Sequence, residues 1–375
     1  MPVTERFDLD TVTWASGERC DTVKLPPLDP ARALLEIGFV MDYRLKSVAG
    51  TETVIDFSEG DLGDLLDHLL SRIEIRGGGH SLVAALKGSE VRLLARELGT
   101  ECLGDFLPGY GVEQAATAPG EHTGMVSLRV PFALPDGMTS SFAPKIAQVA
   151  DLQINAICGS SSASTPFVDQ AGTQWYVDSA VIRPYIDVID TPDEAPRQPI
   201  CYRADQSTDV SYKAPVANAL LFSWLTYDEA GTILTPADHG RTATVELRRD
   251  GEVVASGVSC NARSLGLQAE GARRGYAAFH AAGHNRLSQI GVPLVSTPDN
   301  PMLAEYAVAG IFSARFDSSG AWPTTRTHLF AYVAPRPGGG DASEVTGPIG
   351  YPDGTRVPAA LVSFLPLRAA VSVEA

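Results

Sequence analysis

At 375 residues the chain is too long for one ordinary β-sandwich and suits two domains. Its apolar fraction of 44% excludes global disorder. A net charge of −16 opposes unaided binding to phosphate backbones, and the basic doublets Arg248-Arg249 and Arg273-Arg274 read as solvated surface.

No window approaches the roughly 18 uninterrupted apolar residues of a membrane span. The start Met1-Pro-Val-Thr-Glu5 lacks a basic region followed by an apolar one, so a soluble protein made in the cytosol is expected. Cys20, Cys102, Cys158, Cys201 and Cys260 are odd in number and widely spread, with no Cys-x-x-Cys. They read as buried or incidental thiols rather than a disulfide or zinc framework.

Residues 1–30 form an extended arm. It holds Trp14 and Leu25-Pro-Pro-Leu-Asp-Pro30, whose three prolines forbid helix and favour a chain lying along a surface, its own or a neighbour's. From Leu35 to Leu45 every second residue is apolar, and Glu36, Asp42, Arg44 and Lys46 take most of the alternate positions, the period of a half-buried strand. Glu52 to Ile55 is a further strand. Ser58 and Asp61 then open a helix in the pattern of a capping box. Leu62, Leu65, Leu66, Leu69 and Leu70 follow at helical spacing, with Asp61, Asp64 and Asp67 on the opposite face, read as solvated. Ser71 to Arg76 alternates again and stops at Gly77-Gly78-Gly79, a turn.

Val91 to Leu98 is a short element, and Gly104 to Gly111 a turn-rich loop. Met125 to Phe132 alternates with Val126, Leu128, Val130 and Phe132 on one face. Gly137 to Lys145 suits a turn or a single helical turn. Asp151 to Ile157 turns Leu152, Ile154 and Ala156 inward. Ser160 to Ser164 is a loop of small residues, and Gln174 to Ile189 gives one or two strands.

Asp190 to Pro199 has three prolines, several charges and no apolar period, which marks a linker near the midpoint. Beyond it, Ala217 to Tyr227 is an apolar strand. Thr244 to Ser256 is a hairpin, because Asp250-Gly251 supplies the positive φ values of a tight two-residue turn. A long connection from Asn261 to Ser288 carries a short helix around Arg273 to Ala282. Met302 to Phe316, Thr327 to Val333 and Ala360 to Leu367 are further strands. The expected fold is all-β with a few short helices, two jelly-roll β-sandwiches in tandem: an arm (1–30), a first jelly roll (31–189), a linker (190–199) and a second jelly roll (200–375).

This layout resembles the double jelly-roll major capsid proteins of tailless, membrane-containing icosahedral bacteriophages. In that family an early alternating strand is followed by another strand, an Asp-Phe turn, a short helix and a strand. Here these are Leu35 to Lys46, Glu52 to Ile55, Asp56-Phe57, Asp61 to Leu70 and Ile73 to Ile75. A later strand ending in Val130-Pro131, a polar excursion from Gly137 to Lys145 and the strand from Asp151 to Ile157 also have counterparts there. The resemblance implies a homotrimer of pseudo-hexagonal outline that meets neighbouring capsomers. It also implies contacts with vertex (penton) and minor capsid proteins over an internal lipid membrane. Such a virion shell is assembled in the host cytoplasm and makes no direct sequence-specific contact with nucleic acid.

The sequence lacks a Gly-x-Ser-x-Gly nucleophile turn, a phosphate loop and His-Glu-x-x-His. Its strands also lack acids at alternate positions, where a sheet that cuts polysaccharide would place them. No catalytic, cofactor-binding or metal residue is assigned, no cofactor is expected, and the chain is read as a non-enzyme. His280 and His284 would share a helix face and could bind a metal, but Gly283 weakens that helix and no third ligand is near in sequence. The alternative is a carbohydrate-binding or carbohydrate-cleaving two-domain β-sandwich protein. It requires tryptophans such as Trp14, Trp175, Trp224 and Trp322 aligned on one exposed face. A tail or spike protein is a third reading, for which no internal repeat is found.

Overall fold

The computed structural model describes residues 4–20, 23–56, 65–97, 113–132, 143–149, 151–169, 171–190, 199–207, 211–214, 219–227, 244–249, 252–259, 290–293, 312–317 and 325–333. The first half carries β1 (Thr4–Asp8), β2 (Val12–Thr13), β3 (Val23–Lys24), β4 (Ala33–Ser47) and β5 (Val54–Asp56). After them come a helical segment α1 (65–69), β6 (Arg72–Gly77), β7 (His80–Leu86), the helix α2 (Gly88–Glu97) and β8 (Glu113–Ala115). It closes with β9 (Glu121–Pro131), a 3-10 turn (Ile146–Gln148), β10 (Gln153–Ile157), β11 (Phe167–Val168) and β12 (Gln174–Ile189). The second half adds β13 (Ile200–Ser207), β14 (Ser211–Ala214), β15 (Ala219–Tyr227), β16 (Thr244–Arg249) and β17 (Glu252–Ser259). β18 (Ile290–Pro293), β19 (Phe312–Asp317) and β20 (Thr325–Val333) complete it.

The alternation of Leu35 to Leu45 builds β4, a centre of the first sheet, whose order is β1-β12-β4-β9 with β2 and β11 also on β12. β12 is one continuous strand; it pairs with β4 from Trp175↔Ser47 to Ile189↔Ala33, and β9 pairs on the other side from Glu36↔Pro131 to Lys46↔Glu121. This register stacks Ile37, Phe39, Met41, Tyr43 and Leu45 with Val126, Leu128, Val130, Trp175, Val177, Ile182 and Ile186, all buried. Each such aliphatic side chain contributes about 1.5–3 kcal/mol relative to exposure.

The opposing layer comes from β6, β7 and β10, through Ile73, Ile75, Leu82, Val83, Leu86, Ile154 and Ala156. The leucines of α1 fill the space with them, Leu65, Leu66 and Leu69 being fully buried. The expected turn after β6 is a two-residue hairpin loop: Gly78 and Gly79 have φ of +62° and +75°, and Gly77 pairs with His80. A Cβ at Gly78 would lie 2.1 Å from the Gln148 carbonyl oxygen, so glycine serves both conformation and space there.

The arm lies on its own half. β1 and β2 pair with β12, Glu18 to Cys20 crosses to β10 through an Arg19↔Ile157 bridge, and β3 pairs with β10. Trp14 is buried, and its indole N–H donates to the carbonyls of His68 (3.2 Å) and Leu69 (3.1 Å) at the end of α1.

One sheet runs through both halves. Its eight strands are ordered β18-β15-β20-β13-β7-β6-β10-β3, and the junction is the parallel pair β7 with β13, Tyr202↔Val83 and Arg203↔Ala84. The core follows it: Ile200, Cys201, Tyr202 and Leu329 belong to the same apolar cluster as the first-half residues. Tyr202 donates its hydroxyl to the Pro131 carbonyl and packs edge-on to Phe132, ring centroids 6.4 Å apart. The second half also carries a four-stranded sheet, β14-β19-β16-β17. The Arg249↔Glu252 pair brackets Asp250-Gly251, as the expected hairpin requires.

The Ser58–Asp61 capping box, the loop at 104–111, the bulk of the linker (191–198), the helix expected at 273–282 and the strand expected at 360–367 lie outside the described residues.

Candidate functional site

The face of the first sheet that points away from the core is the most elaborated surface among the described residues. Strand alternation dictates its membership: β4 turns Glu36, Gly38, Val40, Asp42, Arg44 and Lys46 outward, β12 offers Arg183, Tyr185 and Asp187, and β9 offers Met125 and Arg129.

At one end Glu36, 7% exposed at its side chain, accepts two 2.9 Å hydrogen bonds from Arg129 Nε and one of 3.0 Å from the Tyr185 hydroxyl. Arg6 of β1 reaches over, donating to Asp187 at 2.8 and 2.7 Å, with its guanidinium carbon 3.8 Å from the centre of the Tyr185 ring. The ring lies across Gly38, where a Cβ would meet it at 2.0 Å. Burial and then the negative charge of Glu36 push the Tyr185 hydroxyl above the ordinary phenol range, so it stays a donor. The hydrogen bond to Asp187 is the main cause holding the Arg6 guanidinium charged beyond its ordinary range.

At the other end Arg44 meets Glu121 (2.5 Å) and Asp178 (3.8 Å), and Lys46 Nζ lies 3.0 Å from Asp178. Arg183 pairs with Asp42 between the clusters. Met125 stands 51% exposed on this face. Charges of both signs are arranged in fixed pairs around an exposed apolar side chain, a pattern suited to protein contact rather than to phosphate binding.

A second polar cluster is largely enclosed, with Glu90 buried and Asp67 part-buried. Asp67 accepts a 2.9 Å hydrogen bond from the Ser89 N–H, and Glu90 accepts one of 2.9 Å from the Lys87 N–H, so both carboxyls sit at the N-terminus of α2. The expectation of a solvated acidic face is therefore corrected at Asp67: α2 packs where solvent was expected. Asp61 and Asp64 lie outside the described residues. Desolvation raises both carboxyls, Glu90 to about 7, and each is countered by the local N–H donor and by Lys87.

Trp14 and Trp175 are core residues, and Trp175 donates its indole N–H to the buried Asp169 at 3.0 Å. They are not available as a sugar-stacking platform. The Trp224 and Trp322 side chains, His280 and His284 lie outside the described residues. Among the described residues no group of three or more His, Cys, Asp or Glu side chains could hold a metal ion, and no helix is long and apolar enough to cross a membrane.

No family model and no curated protein matches the sequence. Among solved structures, a chain in the atomic structure of Sulfolobus turreted icosahedral virus aligns over 88% of this chain and 91% of its own, with a TM-score of 0.52 at 12% identity. The fold is a double jelly roll of the kind found in viral capsid proteins. The major capsid protein P2 of bacteriophage PM2 (TM-score 0.47, 11% identity, 89% and 99% of the two chains) and that of Faustovirus (0.47, 8%, 89% and 90%) are also similar. In the double jelly roll described here, the charged face of β4, β9 and β12 is one broad side of the first jelly roll. Of its residues Glu36 was legible in sequence as a polar position of an alternating strand, whereas its meeting with Arg129, Tyr185, Arg6 and Asp187 depends on cross-strand register and was not.

Proposed function

We propose that the chain is a structural protein, the major capsid subunit of an icosahedral virus, working by self-association rather than catalysis. The observation that carries this reading is the double jelly-roll fold, aligned over nearly the whole chain with a virion protein. The paired-charge face with Met125 at its surface supports it, since such a face suits contact with another folded surface. On this reading three subunits form a pseudo-hexagonal capsomer that tiles a shell, assembled in the host cytoplasm. Penton and minor proteins, and an underlying lipid membrane, are its further partners. The chain divides at 190–199 into two jelly rolls, preceded by the arm at 1–30.

Light scattering on the purified protein at micromolar concentration tests it. The expected mass is three times the 39.7 kDa of one chain, with a hexagonal outline in negative stain. A monodisperse monomer overturns the reading.

A further inference from the structure

Cys20 and Cys158 are 138 residues apart in the chain, yet their Sγ atoms lie 3.3 Å from each other in the buried interior. The arm and β10 bring them there. Arg19 and Ile157 form a bridge, flanked by Cys20 N–H to the Ala156 carbonyl and Cys158 N–H to the Glu18 carbonyl, both 2.9 Å. In that antiparallel ladder both cysteines stand on the face opposite Arg19 and Ile157. Farther out, Ser16 and Ser161 exchange hydrogen bonds of 2.9 and 3.1 Å, so the backbones on both sides of the pair are held in register. A disulfide needs an S–S distance of about 2.05 Å, which leaves roughly 1 Å of closure for two χ1 adjustments.

We propose that Cys20 and Cys158 are a disulfide site, a covalent latch that ties the N-terminal arm to β10 when the protein meets a low-molecular-weight disulfide. The Cys158 thiolate attacks one sulfur of that reagent, forms a mixed disulfide and releases one thiolate. Cys20 then gives up its proton and attacks the Cys158 sulfur, releasing the second. The two protons lost by the cysteines end on the two released thiols, so the pair is oxidised by two electrons and the reagent reduced by two. Exchange takes place as the arm docks, before its pairing with β10 closes the site.

The full-length chain, purified under reductant, is equilibrated in mixtures of oxidised and reduced glutathione, quenched with acid, alkylated and digested without reduction. The expected product is a peptide pair joining Cys20 to Cys158, two hydrogens lighter than the thiol forms and split by reductant. The oxidised protein is expected to melt about 3–6 °C higher, because the bond closes a long loop. Cys201→Ser is expected to behave as the parent. Recovery of both cysteines as alkylated thiols throughout the series, as separate glutathione adducts, or joined to other cysteines overturns the proposal.

Discussion

Glu90 sits almost completely enclosed at the first turn of α2, and burial raises its carboxyl from 4.5 to about 7. A carboxyl whose folded value is raised contributes fully below its unfolded value, and the contribution is lost as pH rises through the folded one. The window is therefore pH 4.5 to 7. Glu90→Gln keeps an oxygen for the Lys87 N–H and removes the buried charge, so it is expected to stabilise the protein by about 2 kcal/mol at pH 8, a gain that shrinks toward pH 5. Urea unfolding at both values, compared with the parent, checks this. Burial lowers His68 and His122, which oppose the trend below their ordinary value, but they are common to both proteins and cancel in the difference. At the outward face, Arg129→Ala leaves Glu36 enclosed with the Tyr185 hydroxyl as its main donor and is expected to cost about 3 kcal/mol. Glu36→Gln added to Arg129→Met is expected to recover most of that loss in the same unfolding assay, because no uncompensated charge remains.

Among the elements, α1 shows how a short helix depends on its surroundings. A helix of a few turns at most is marginal alone, and here the described leucines are buried while Trp14 donates to two carbonyls at the helix end. Trp14→Phe keeps a ring and removes that donor, with an expected loss of about 1–2 kcal/mol and faster amide exchange across residues 65–70. The period of residues 35–45 located β4 within two residues at each end, and β6, β9 and β10 were readable for the same reason, one face buried and one wet, while the β16–β17 hairpin was readable from its Asp-Gly turn signal. β7 escaped because Leu82 and Val83 are both buried beside register shifts against β6, which erases the two-residue period. β13 begins Ile-Cys-Tyr with all three buried, since it joins the interior of a sheet rather than an edge. β1 to β3 are short pairings whose partners lie far along the chain, and Asp67 was misplaced because nothing local announces that α2 will pack over it. The Glu36 and Cys20 clusters were illegible for a related reason: each needs a register between segments more than ninety residues apart.

At the scale of the molecule the two halves share more than a linker. The parallel junction of β7 with β13 makes one sheet of both, and α2 touches β9 of the first half as well as β13, β15 and β20 of the second. Tyr202 is buried against Phe132 and the Pro131 carbonyl, so removing either half would expose apolar surface and orphan a buried hydroxyl. Tandem sandwiches joined only by a tether would melt independently. Here the shared sheet and core predict one calorimetric transition, with the van't Hoff and calorimetric enthalpies equal. Leu94 of α2 is fully buried, and Leu94→Ala is expected to cost about 2–4 kcal/mol. The decisive feature is how that loss is distributed. If α2 binds the halves into one cooperative unit, the variant lowers a single melting temperature. Two separate transitions, only one of them shifted by Leu94→Ala, would show that the halves fold alone and that their shared sheet forms afterwards.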